Sequence, residues 1–244
     1  MQESEAKATI LVVDDSTTIR TIVSSIVRRS GHTTIMAEDG NSCIEIINSH
    51  QIDLLLLDVH MPGKTGLEVL SYLRDHHLNI PVIMISGSAD IEEAVKALKM
   101  GAYDFLLKPV NPDKLTVTVK NALAESELRK NLKLFSSAIA QNPLSIIITD
   151  TRGVIQYTNE AFTTISGYSQ QEVLGLNMNT LRSGKHSKSF YKDLWDTITS
   201  GKTWSGEIIN KKKNWSNSSA QRTEAHSENT RMESVFASLR RDED

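Results

Sequence analysis

Along residues 8–126, short unbroken apolar runs alternate with stretches whose apolar positions recur every three or four residues. The runs Thr9–Val13, Thr33–Ala37, Asp53–Leu57, Pro81–Ile85 and Asp104–Leu107 are predicted strands, and helices are predicted near 17–30, 40–49, 65–75, 90–99 and 112–126. In Asp53-Leu54-Leu55-Leu56-Leu57-Asp58 the leucines follow one another without the polar alternation of a half-solvated strand. Such a strand is covered on both faces, as at the centre of a parallel sheet. Ile19, Ile22, Val23, Ile26 and Val27 form one helical stripe, and Gly31 closes it. The repeated β-α order predicts a doubly wound, five-stranded parallel sheet with right-handed crossovers.

The last of these helices has no evident stop. Neither Gly nor Pro occurs between Asp113 and Asn142, and Leu128, Leu132, Phe135 and Ile139 form a short heptad seam. The seam fits a homodimer through this helix or packing against the following domain. Asn142-Pro143 breaks the helix. Strand-like Ile146–Asp150 and Val154–Tyr157 follow, joined by an Arg152-Gly153 turn, then a helical run at 187–200 and a strand-like Thr203–Asn210. After Asn214 the pattern ends in a polar tail, where Met232, Val235, Phe236 and Leu239 permit one short amphipathic helix at most. The expected organisation is a first domain over 1–126, a helical linker over 127–142, a partial α+β domain over 143–213 and a disordered tail over 214–244.

Composition narrows the classes. A net charge of −3 over 244 residues gives no footprint of direct nucleic-acid binding. One cysteine, Cys43, leaves no disulfide framework, and its apolar-periodic helix makes it a small core residue. The acidic N-terminus is unlike a signal peptide, and no apolar run reaches membrane-spanning length, so a cytoplasmic protein is expected.

The chemistry gathers where the predicted strands end. The first delivers Asp14 and Asp15, the third Asp58, the fourth Ser86 and the fifth Lys108. In open α/β sheets this edge forms the ligand crevice. Each residue alone has a plain reading: the aspartates as caps, Ser86 as a turn residue, Lys108 as solvated surface. Together they place three carboxylates, a hydroxyl and an ammonium in one cleft. Crowded carboxylates repel, and a hard divalent cation such as Mg²⁺ relieves them while leaving room for a phosphoryl group. That is equipment for a carboxylate nucleophile.

Val12-Val13-Asp14-Asp15-Ser16, Leu57-Asp58-Val59-His60-Met61-Pro62-Gly63, Ile85-Ser86-Gly87 and Gly101-Ala102-Tyr103-Asp104-Phe105-Leu106-Leu107-Lys108-Pro109 resemble the receiver domain of two-component response regulators, a flavodoxin-like fold. The resemblance implies that Asp58 is the phosphoacceptor and that Asp15, Asp58 and the backbone carbonyl of His60 hold Mg²⁺, with Asp14 acting through water. It implies phosphate contacts from Lys108 and Ser86, an aromatic switch at Phe105 and a cis Lys108–Pro109 bond. His60 and Ser88 are expected to flank the attacking water and tune hydrolysis. A phosphatase similar to the haloacid-dehalogenase group fits poorly, because its two acids stand one residue apart and here they are adjacent.

Asn159-Glu160-Ala161-Phe162…Gly167-Tyr168 and Trp204-Ser205-Gly206-Glu207 resemble a PAS domain lacking its C-terminal strands. That family's antiparallel sheet, ordered 2-1-5-4-3, would lose a central strand, so that 145–150 loses its central partner and 203–210 loses both its neighbours. No PAS ligand is assigned, the region has no cysteine for flavin photochemistry, and His186 reads as a surface histidine. The resemblances together imply a non-enzymatic signalling protein. A sensor histidine kinase or histidine phosphotransfer protein would supply the phosphoryl group. The state would pass through the 90–110 face and the helical linker to the PAS-like module. The alternative is a PAS-based ligand sensor or dimerisation module with an accessory receiver.

Overall fold

The computed structural model describes residues 7–87, 91–213 and the backbone of 235–238, in two compact units divided after Asn131. In the first unit the strands are β1 (Thr9–Val13), β2 (Thr33–Ala37), β3 (Leu54–Asp58), β4 (Val82–Ser86) and β5 (Asp104–Leu107). The helices are α1 (Thr17–Arg29), α2 (Gly40–Ser49), α3 (Gly66–Asp75) and α4 (Ile91–Lys99), and α5 (Pro112–Ala140) begins in this unit and continues past Asn131. The sheet runs β2-β1-β3-β4-β5, every neighbouring pair parallel.

The leucine run explains the layering. Successive strand residues point to opposite faces, and all of Leu54–Leu57 are fully buried. Leu55 and Leu57 enter a core with Cys43, Val69, Leu70, Leu73 and Ala97, residues of α2, α3 and α4. Leu54 and Leu56 enter the opposite core with Val23, Ile26, Val27, Leu115 and Val119 from α1 and α5. Each such side chain contributes about 1.5–3 kcal/mol of transfer free energy on burial.

The helices start where their caps dictate. Asp39 caps α2 and Thr65 caps α3 through reciprocal capping boxes, while the Ser16 side chain accepts from Ile19 N–H at the start of α1. α5 runs unbroken to Ala140, as the lack of Gly and Pro predicts.

The second unit holds β6 (Ile146–Thr149), β7 (Ile155–Thr158), α6 (Glu160–Ser166), α7 (Gln170–Val173), α8 (Lys188–Thr199) and β8 (Val235–Ser238). Among the described residues its core cluster is Ile147, Ile155, Phe162, Val173 and Leu181. Buried Asn159 organises it. Its amide nitrogen donates to the carbonyls of Ile139, Asn142 and Leu144, and its carbonyl oxygen accepts from Ile146 N–H and Phe162 N–H. One side chain thereby ties the end of α5, the start of β6 and the N-terminus of α6.

Three expectations for this unit are corrected. Residues 235–238 form a strand where the sequence allowed only a helix, and it pairs in parallel with β6, giving the order β7-β6-β8. β6 thus has a neighbour on each side. The sequence Val-Phe-Ala-Ser has β-branched and aromatic character, and an unfilled ladder edge outweighs a one-turn helical pattern. Conversely, 203–210 forms no strand; Ile208 and Asn210 hold isolated bridge positions, Asn210 with Arg182. Side chains occupy the backbone groups a ladder would use: Ile209 N–H donates to His186 Nε2 at 2.8 Å, and the Ser183 hydroxyl donates to the Ile209 carbonyl. His186, read as a surface residue, is instead half-buried and stacked on Phe190. Most of the 214–244 tail lies outside the described residues.

Candidate functional site

Parallel register aligns the strand ends. Leu57 and Asp58 stand beside Met84 and Ile85, and Ser86 beside Leu107, so the residues following each strand emerge along one edge. Carboxylate oxygens of Asp14, Asp15 and Asp58 lie within 4.8 Å of one another. Asp14 and Asp58 are buried and Asp15 is exposed, leaving one solvent-facing side. The Lys108 ammonium sits 2.7 Å from Asp14 Oδ2 and 3.1 Å from Asp58 Oδ1. These are charge contacts without good hydrogen-bond alignment. The Lys108–Pro109 bond is cis.

Electrostatics follow from burial and crowding. Desolvation holds the Asp58 carboxyl above the usual range; Lys108 opposes this, and Asp14 and Asp15 add to it. For Lys108 burial acts downward, but the close carboxylates of Asp14 and Asp58 outweigh it, so its ammonium is held more firmly than usual. An all-oxygen cluster with a buried charge excess fits a small hard cation.

Of the other residues singled out, Ser86 is fully buried at the end of β4. Phe105 is half-buried against the core containing Leu55 and Leu57. His60 is exposed, with Nε2 3.1 Å from Glu93 Oε1. Ser88 lies outside the described residues. Cys43 is buried, its thiol pushed up to about 12 by desolvation with a further push from Asp39.

Three contributors escaped the sequence reading. Arg20 donates to the backbone carbonyls of Asp14 and Asp15 and pins that loop. Gly66 lets α3 pass close to the end of β3: a Cβ there would stand 2.2 Å from the Asp58 carbonyl oxygen. Its signal was a glycine immediately after a helix cap, a place without a conformational need for one. Glu93 had no signal, since an acidic residue in a first helical turn is commonplace.

In the second unit a cavity of about 30 Å³ lies among Met178, Arg182, Tyr191, Leu194, Trp195 and Ile208. That is room for a water or two. The Arg182 guanidinium lies 3.9 Å from the Tyr191 ring centroid, and burial raises the Tyr191 hydroxyl pKa. Among the described residues no helix is long and apolar enough to cross a membrane.

Known proteins define the class. The family model for the response regulator receiver domain matches residues 10–120, and that for the PAS fold matches 133–243. The nitrogen assimilation regulatory protein NtrX of Azorhizobium caulinodans is 38% identical over 126 residues, 51% of this chain and 28% of the relative. The regulatory protein AtoC of Escherichia coli is 31% identical over 131 residues, 54% of this chain and 28% of the relative. Among solved structures, NtrX from Brucella abortus gives a TM-score of 0.51 at 32% identity, over 61% of this chain and 38% of that one. Its receiver domain, solved separately, is 41% identical, with 98% of it and 47% of this chain covered and a TM-score of 0.46.

Residues 10–120 are a response regulator receiver domain, and a PAS fold follows over 133–243. The receiver part is homologous to NtrX, and the chain spans 28% of the length of that curated relative.

Proposed function

We propose that this chain is a phosphorylation-controlled signalling protein whose acceptor is Asp58. The observation that carries this reading is the meeting of three carboxylates within 4.8 Å, two of them paired to one lysine at 2.7 and 3.1 Å. The donor is the phosphohistidine of a histidine kinase or histidine phosphotransfer protein. An Asp58 oxygen forms the new O–P bond as the donor's P–N bond breaks, and that electron pair returns to the donor's imidazole. Lys108 exchanges a carboxylate contact for a phosphoryl oxygen, and the Ser86 hydroxyl donates to another. Asp15, Asp58 and the His60 carbonyl would hold Mg²⁺, with Asp14 acting through water; the ion would supply charge neutralisation at the phosphoryl oxygens. His60 and Ser88 flank the path of the hydrolytic water.

The phosphorylated state is read out at the 90–110 face, where Ile91, Val95, Leu98 and Leu107 are exposed, and through α5 toward the PAS fold. Leu128, Leu132 and Phe135 are exposed along α5, which supports pairing with a second copy. The protein is regulatory and its chemistry is confined to its own phosphorylation and dephosphorylation.

Acetyl phosphate with Mg²⁺ tests the acceptor. Intact mass should rise by one phosphoryl group, and Asp58→Asn or chelation of the cation should abolish the gain. Full phosphorylation of Asp58→Asn would refute the assignment.

A further inference from the structure

Glu93 lies in the first turn of α4 with its side chain only 16% exposed. Its two carboxylate oxygens serve different partners. Oε1 is 3.1 Å from His60 Nε2, and Oε2 accepts from the Ser86 hydroxyl at 3.4 Å. The partners belong to separate elements: His60 to the loop after β3, two positions beyond Asp58, and Ser86 to the end of β4. Neighbouring Glu92 satisfies the helix macrodipole equally well but is exposed. What distinguishes Glu93 is that it turns inward and spans two residues of the site.

We propose that Glu93 is a positioning residue for the receiver reaction. Its carboxylate restrains the Ser86 hydroxyl and the His60 imidazole before phosphorylation, and it releases Ser86 when the phosphoryl group arrives. This inference rests on Asp58 being the acceptor. A serine hydroxyl has one proton to donate, so Ser86 serves either Glu93 or a phosphoryl oxygen. The bond to Glu93 is long for O–H···O and correspondingly weak, whereas a phosphoryl oxygen offers a short charge-assisted bond. The exchange therefore runs toward the phosphoryl group and unties the first turn of α4 from β4. That turn carries exposed Ile91, with Val95 and Leu98 further along the same helix. The exchange thus gives a physical route from the acceptor to the exposed face.

The test uses the full chain, Mg²⁺ and acetyl phosphate, following both formation of the phosphorylated protein and its decay after donor removal. Glu93→Ala should speed formation about fivefold, the scale of one modest hydrogen bond. Glu93→Gln, which keeps the shape and one acceptor oxygen, should fall between it and the parent. In a Ser86→Ala background, Glu93→Ala should leave the formation rate unchanged, because the restrained hydroxyl is gone. A general structural or charge effect would act equally with and without Ser86, and that result overturns the proposal, as does an unchanged rate in both Glu93 variants. Asp58→Asn in the same assay separates the two readings. Phosphorylation of that variant refutes the acceptor, whereas a silent Asp58→Asn with no Glu93–Ser86 coupling refutes Glu93 alone.

Discussion

The receiver sheet and the PAS sheet each have a central strand flanked on both sides, but they acquire their flanks differently. β3 sits between β1 and β4, its neighbours along the same run of β-α units, and its leucines feed two large cores. β6 pairs with β7, which follows closely, and with β8, which comes from near the end of the chain. Among the described residues its core cluster has five buried apolar side chains. The receiver is built from successive, mutually supporting contacts. The second unit closes only after a distant segment returns, at a loop-closure cost. The same kind of strand therefore has different dependence on the rest of the chain.

Truncation after Lys213 should separate the units most sharply. It removes β8 and leaves β6 with an unpaired edge. Amide exchange in 146–149 should become fast and the separate unfolding transition of the second unit should vanish, while phosphorylation of the receiver continues. Retained protection at 146–149 in the truncated chain would show that β6 needs no third strand.

Matched core substitutions come next in size. Leu56→Ala should destabilise the receiver by about 3–5 kcal/mol, since fully enclosed leucine sites cannot collapse onto the cavity. Ile147→Ala should cost the second unit about 2 kcal/mol, because a thin core relaxes more readily. Urea unfolding followed by unit-specific probes would measure both, and equal costs would remove the packing distinction.

The same contrast explains what the sequence made legible. Leu54–Leu57 are apolar on both faces whatever the details of packing, so β3, its burial and the position of Asp58 at its end could be read directly. Asp14, Asp15, Ser86 and Lys108 followed because parallel register sends every strand end to one edge. Arg20 and Glu93 were not legible, since Arg20 meets a backbone carbonyl pair and Glu93 meets residues of the loop after β3 and of β4, and local pattern records neither. In the second unit Thr203–Asn210 has strand composition, yet Ser183 and His186 take the Ile209 backbone groups. Val235–Ser238 has helical spacing with Met232 and Leu239, yet it extends beside β6. Both outcomes were decided by partners distant in sequence, which override short-range propensity.

The smallest expected effect concerns pH and again distinguishes the units. Glu172 closes a capping box at the start of α7, accepting from Ser169 N–H and its hydroxyl, and it also meets Lys213. The Lys213 ammonium first, and then the Ser169 bonds, hold its carboxyl down at about 2. A folded-state value below the unfolded one means that the ionised form is favoured by folding. The contribution is therefore complete above the ordinary glutamate range and is lost as pH falls toward about 2. Because the pair is exposed, salt screens it and the effect is slight. Glu172→Gln and Lys213→Ala should each flatten the acid limb of the second unit's stability curve, with the double variant no flatter than either alone. The receiver's curve should stay in place, since its own capping carboxylates, Asp39 and Glu68, are untouched. Parallel thermal melts of the variants between pH 2 and 7, at low and high salt, would read this out. An acid limb that shifts in the receiver instead would mean that the two units unfold as one, and that the long helix transmits stability between them.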